Sequence, residues 1–326
     1  MKRAYVIAAL VLVLVGSIPA VASAQGGLKS ITFLTNYVFN GRHSPFFVGL
    51  EKGFYREAGF DIDIKPTTGS GFVITAIDGG QADYGMAMLS PVVQGVARGA
   101  KVKAFMAYTD VTTSGLVALS PFPTPESLIG KRIAAGQTDS ARVVLPIIFD
   151  MKGLDASTLD WQAADPGVYV SLLLSGRVDL YTASYDSDVP VLRRTLEQQG
   201  QGRTAYFSSF AEWGYDTYGF VLLTSANADP AEARRFAEAT KRAVEYSIAN
   251  PEEAVRIMIQ HNPTMNHDIV TTQWNATIGS MQTPYVAKHG YGAVTIDRIE
   301  RSIALTRQAL NLEAELAADD VFLNLQ

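Results

Sequence analysis

The strongest constraint on the fold is a sustained alternation of short β-rich runs with longer helical ones. "ITFL" at Ile31–Leu34 reads as a strand. Pro45 then stands where a first helical position would be, and Phe46, Phe47, Leu50, Phe54 and Tyr55 follow at helical spacing. Gly59 closes that helix, and "FDIDI" at Phe60–Ile64 alternates apolar and polar residues as a half-buried strand does. The unit repeats through a helix at Phe72–Ile77, a strand in "ADYGMAM", a helix at Pro91–Arg98 and a strand in "KVKAFMAY".

One more strand, Gly115–Leu119, leads into "SPFPTPESL", whose three prolines mark a crossing between two bodies. A second series follows, with strands in "KRIAA", "LDWQA" and "VDLYTA" and helices at Ala141–Met151, Tyr169–Leu174 and Val189–Gln199. "YGFVLLT" at Tyr218–Thr224 reads as a return strand, after which the chain is helical, with Asp229 and Pro230 as N-cap and first helical residue and Pro251 opening the next helix. Alternating strands and helices make an α/β protein with mostly parallel sheets. Two series joined by two crossings make two lobes with a cleft between them, 25–118 with 222–326 and 119–221.

Residues 1–24 stand apart. Lys2 and Arg3 precede the apolar run Ala4–Val15, and "ASA" at Ala22–Ala24 presents small side chains before Gln25, the pattern of a cleaved signal peptide. The run is shorter than the roughly 20 residues that span a bilayer, so export into a periplasm is expected rather than anchoring. With no cysteine in the chain there is no disulfide, thiolate metal site, cysteine nucleophile or lipid-attachment cysteine. Without Lys2 and Arg3 the 27 basic residues fall to 25 against 32 acids, about −7, which argues against nucleic acid or an anionic membrane as partner.

Open α/β sheets bind ligands in the loops beyond the carboxyl ends of their strands, where helix N-termini leave N–H groups free. "TNYVFNGRH" after the first strand offers Asn36 and Asn40 as donors and acceptors, Tyr37 and Phe39 as ring faces, and His43. The competing reading makes the two rings core and the asparagines helix caps. "TTGSGF" brings Ser70 and Phe72 beside two glycines at a helix start, and "MAMLSP" brings Met88 and Ser90. In the second series, "GQTDSAR" offers Thr138 and Ser140, which by default are cap residues, "TASYDSD" offers Tyr185 and Asp186, and "EWGYDTYG" offers Trp213 and Tyr215.

Rings for the two faces of a flat heteroaromatic, with amides and a carboxylate for its edge, fit an aminopyrimidine. A small anion needs cations, and these loops hold only Arg42 and Arg142 against Asp139, Asp186, Asp188 and Asp216. There is no G-x-S-x-G elbow and no H-E-x-x-H, and His43, His261, His267 and His289 are scattered, so neither catalysis nor a metal or other cofactor is expected.

"SPFFVGLEKGFYREAGFDIDI" together with "AIDGGQADYGMAMLSPVVQGVARGAKVKAF" resembles the periplasmic substrate-binding proteins of ABC importers, in the branch of thiamine-precursor (pyrimidine) binders, with riboflavin, sulfonate and nitrate binders as relatives. The resemblance implies a type II periplasmic-binding-protein fold that closes on a small molecule, with Gly115–Leu119 and Phe220–Thr224 as hinge strands. It also implies a monomer that delivers its ligand to an inner-membrane ABC permease. A pyrimidine thiamine precursor is the expected ligand, with riboflavin, then sulfonate or nitrate, as alternatives. Fungal pyrimidine synthases of the same family carry a cysteine-rich motif, which this chain lacks.

Overall fold

The computed structural model describes residues 27–200 and 202–325; the expected signal peptide lies outside them. The strands are β1 (Lys29–Leu34), β2 (Phe60–Lys65), β3 (Tyr84–Met88), β4 (Val102–Ala107), β5 (Ser114–Ala118), β6 (Arg132–Ala135), β7 (Asp160–Ala163), β8 (Leu180–Ser184), β9 (Tyr206–Ser209) and β10 (Phe220–Ser225). They form two five-stranded sheets, ordered β2-β1-β3-β10-β4 and β7-β6-β8-β5-β9.

Each sheet is parallel except for one strand. β10 runs antiparallel between β3 and β4, and β5 runs antiparallel between β8 and β9. β3, β5 and β8 are buried along their whole length, as strands covered on both faces are. Phe33, Phe46, Tyr84 and Phe236 pack together under the first sheet, with the Tyr84 and Phe236 rings stacked at 4.2 Å. Val117, Tyr169, Tyr181 and Leu192 form a core on the second. No described helix is long and apolar enough to cross a membrane.

The hinges differ from the expectation. β5 lies wholly in the second sheet and β10 wholly in the first, so the chain crosses between lobes at 108–113 and 210–219, and the lobe limits move from 118 and 221 to those segments. The two linkers run side by side: the Gly219 N–H donates to the Thr109 carbonyl at 3.1 Å, and a Cβ on Gly219 would come within 2.3 Å of the Val111 carbonyl oxygen. The proline-rich stretch is not a crossing. It joins β5 to β6 inside the second lobe, where the Pro123 carbonyl accepts the Trp213 indole N–H.

Candidate ligand-binding cleft

The loop after β1 is fixed by its own polar groups. The Asn40 side chain accepts the Arg42 N–H at 3.1 Å and donates to the Val38 carbonyl at 3.0 Å, capping the turn Gly41–His43. His43 Nδ1 accepts the Asn40 N–H at 3.3 Å, which leaves the proton on Nε2 to donate to Asn36 Oδ1 at 3.2 Å. Burial, and then the neighbouring Arg42, hold the His43 pKa well below its ordinary value, so the ring is neutral. The Asn36 carbonyl is thereby engaged, while its amide nitrogen has no partner among the described residues and Asn36 lines the cleft.

The lobes meet around a narrow cavity of about 40 Å³. From the first lobe its wall includes Asn36, Tyr37, Arg42, Ser70 and, at the start of β10, Phe220; from the second, Asp139, Ser140, Thr182, Ser184, Ser187 and Asp188; the second linker contributes Phe210. At one edge the Gly71 N–H donates to the Thr138 carbonyl at 3.0 Å, and the Thr68 and Thr138 hydroxyls stand 3.3 Å apart. At another, Arg42 reaches Asp186 through Nε at 2.8 Å and also through Nη2, forming a bidentate ion pair between lobes. Arg42 Nη2 also donates to Thr113 Oγ1, Thr277 donates to Asp186 at 2.9 Å, and the Phe220 ring lies 4.4 Å from the guanidinium carbon.

The carboxyls at the cleft shift in different directions. Asp188 accepts the Ser184 N–H at 2.8 Å and the Ser187 hydroxyl at 2.7 Å, but burial outweighs these bonds and pushes its pKa up to about 6. Burial likewise raises Asp139, which accepts from the Thr182 hydroxyl at 2.6 Å and the Ala141 N–H at 2.8 Å. Asp186 is also pulled up by burial, yet the Arg42 guanidinium prevails and its pKa falls below the ordinary value. Tyr37 reaches from the first lobe onto the core of the second. Burial first, then Asp188 and Tyr169, raise its pKa well above that of a free phenol, so it stays a neutral donor.

Of the residues singled out from sequence, Asn36, Tyr37, Ser70 and Ser140 line the cavity. Asp186 stands behind it as the partner of Arg42. Asn40 and His43 are buried supports of the Asn36 loop, and Phe39 packs edge-on against Phe47 at 5.2 Å. Met88 is core on β3, and its N–H donates to the Ser70 hydroxyl oxygen at 3.1 Å. Ser90 and Tyr215 share a buried hydroxyl contact of 2.6 Å where the second linker meets the first lobe. Thr138 faces the glycine segment at the cleft's edge.

Phe72 and Tyr185 are exposed, the latter beside Phe207 with Arg193 over its ring. Trp213 is buried between Phe122 and Phe210 inside the second lobe, its N–H satisfied by Pro123. Arg42, Asp139, Asp188, Phe210, Phe220 and the hydroxyls of Ser114, Thr182, Ser184 and Ser187 are among the wall residues not singled out as ligand contacts. The signal for several of them was present: "YTAS" places a threonine and a serine at the carboxyl end of an otherwise apolar buried strand, where buried hydroxyls need a reason.

Comparison with known proteins adds relatives. A family model described as NMT1/THI5 like matches residues 40–254. A 4-amino-5-hydroxymethyl-2-methylpyrimidine phosphate synthase of Saccharomyces cerevisiae is 25% identical over 256 residues, covering 75% of this chain and 74% of the yeast protein. A formylaminopyrimidine-binding protein of Halalkalibacterium halodurans is 20% identical over 313 residues, 92% of each chain. Among solved structures, the alkanesulfonate-binding protein SsuA of Xanthomonas axonopodis pv. citri bound to MOPS superposes with a TM-score of 0.68 at 16% identity, over 91% of this chain and 99% of that one. The aliphatic sulphonate binding protein SsuA of Escherichia coli gives 0.63 at 13%, over 90% and 92%. Two sheets, two crossings and an enclosed cleft are thus the fold of periplasmic binding proteins, and the chain belongs to the NMT1/THI5-like family.

Proposed function

We propose that this chain is the periplasmic solute-binding component of an ABC importer and that it captures an aminopyrimidine of the thiamine-precursor type for delivery to a permease. The observation that carries the reading is the polarity of the cleft. Among the described residues its wall offers two carboxyls of raised pKa, a neutral tyrosine and an amide N–H2 without a partner, while its one cation is already neutralised by Asp186. An aminopyrimidine presents ring nitrogens that accept and an exocyclic amine that donates. Asp188, still mostly ionised at neutral pH with its pKa of about 6, can accept from the second, while Tyr37 and the Asn36 amide can donate to the first. A sulfonate or nitrate would meet carboxyls without a free guanidinium.

The relative named for formylaminopyrimidine binding matches over nearly its whole length. A second reading, pyrimidine synthesis, is favoured by the names of the synthase relatives. We take binding over synthesis because the chain has no cysteine and the described residues hold no metal-ligating cluster.

Thermal shift of the protein from Gln25 onward, against 4-amino-5-hydroxymethyl-2-methylpyrimidine, formylaminopyrimidine, riboflavin, taurine and nitrate, tests the assignment. A ligand at about 100 times its Kd adds roughly 2.7 kcal/mol, a shift of several degrees. The expected result is a shift with the pyrimidines, lost in Tyr37→Ala, with the ligand recovered intact by mass spectrometry. A shift with taurine or nitrate alone overturns the pyrimidine reading, and consumption of the ligand overturns the binding-protein reading.

A further inference from the structure

We infer that Asp186 sets the sign of the ligand the cleft accepts, by occupying a guanidinium that would otherwise be an anion site. The inference rests on the cleft being the solute site proposed above. Arg42 belongs to the cleft wall and is 1% exposed. Of its five N–H bonds, Nε and Nη2 are committed to Asp186 and Thr113, and the two on Nη1 have no partner among the described residues. Its positive charge is therefore balanced by one carboxylate while part of its donor fork stays available.

Asp186 is well suited to that role and poorly placed for ligand contact. It is fully buried behind the wall, and Thr277 orients it by donating to the same oxygen that receives Arg42 Nε. The pair also joins the two lobes, Arg42 from the loop after β1 and Asp186 from the segment after β8, so the guanidinium is neutralised in the form that encloses the ligand. A buried guanidinium without a carboxylate partner is a strong site for planar or tetrahedral oxyanions, because its donors are fixed and poorly hydrated. Asp139 and Asp188 stand on the same wall and oppose an anion, which makes Asp186 the first but not the only acid that excludes one.

The test is isothermal titration and thermal shift of Asp186→Asn with ethanesulfonate and with 4-amino-5-hydroxymethyl-2-methylpyrimidine, with sodium chloride at matched ionic strength as control. Asn keeps the shape and the Thr277 contact while removing the charge. Ethanesulfonate affinity should rise at least about tenfold over the wild type, the scale of one charge-assisted hydrogen bond. It should rise further in Asp186→Asn/Asp188→Asn and return to the wild-type level in Arg42→Met/Asp186→Asn, a pattern that loss of packing would not produce.

No sulfonate-dependent shift in either Asn variant, including a failure of both to fold in its presence, overturns the inference. So does a gain that survives the loss of Arg42. The wild-type titrations separate this from the underlying assignment: a wild type that binds the pyrimidine while the variants gain no sulfonate affinity sinks the role of Asp186 alone, and a wild type that binds ethanesulfonate and no pyrimidine sinks the solute reading.

Discussion

Asp186 and Asp188 stand two residues apart where β8 gives way to a helix, and they titrate in opposite directions. Burial penalises both charges, but only Asp186 has a guanidinium against it. For Asp188 the folded value of about 6 lies above the ordinary 3.8, so between those values the folded chain holds a proton that the unfolded chain has lost. Stability therefore falls as pH rises through that window, by up to about 3 kcal/mol at about 1.4 kcal/mol per pKa unit. Asp188→Asn should remove that part of the slope: urea denaturation of variant and wild type should agree near pH 4 and diverge by pH 7, with the variant the more stable. Parallel curves would refute the shifted carboxyl. At this scale the sequence was a partial guide. Asn36 and Tyr37 were readable because the loop after a first strand faces the cleft in any open α/β sheet. Trp213 was not, because a loop aromatic can bury its face in its own lobe, and the Pro123 carbonyl gave its N–H a partner there.

The helix His267–Met281 also ties the two lobes, apart from the linkers. Asn266 caps it by accepting the Ile269 N–H at 3.1 Å. Gln273 then accepts the Gly41 N–H at 2.8 Å and donates to the Ser187 carbonyl at 2.7 Å, holding both cleft loops at once. Gly41 allows the approach, since a Cβ there would come within 2.7 Å of both the Trp274 nitrogen and the Val270 carbonyl oxygen. Gln273→Ala strands two buried backbone groups at about 1–3 kcal/mol each, so a urea titration should show a loss of roughly 2–4 kcal/mol together with weaker ligand binding. A loss under 0.5 kcal/mol would mean that the loops hold themselves. That the C-terminal third is helical was plain from its caps, but periodicity names a buried face and not its neighbour. β9 went unread for a different reason: it is a four-residue edge strand, half-exposed, with too short a run to show alternation.

At the scale of the whole molecule, closure depends on backbone meeting backbone at Gly69–Gly71 and Thr138. A Cβ on Gly69 would lie 2.3 Å from the Thr138 carbonyl oxygen, so Gly69→Ala must push the lobes apart or displace the loop. An overpacked contact costs roughly 1–3 kcal/mol, which predicts pyrimidine affinity weaker by about tenfold or more, and a larger radius of gyration by small-angle scattering when ligand is bound. Unchanged affinity would place the closing contact elsewhere. The two-lobed architecture was legible because strand–helix alternation admits few layer arrangements. The hinges were not, because β5 and β10 are buried apolar strands that follow their crossings directly, and such a strand does not declare which sheet it joins.

β10 has a consequence for how the chain comes into being. Among the described strands it is the only one paired with β4, whose other side meets just the isolated bridge Ala104–Phe322, and it separates β4 from β3. Strands β5 to β9 form one uninterrupted stretch of the polypeptide, so the second lobe has all its strands in hand as soon as that stretch has been made. The first lobe does not: its sheet carries a gap between β3 and β4 until Phe220–Ser225 arrive from beyond the whole of the other lobe. The lobe that begins the chain is the last to be completed, and a nascent chain stopped short of β10 holds β4 as a strand with no partner in its sheet.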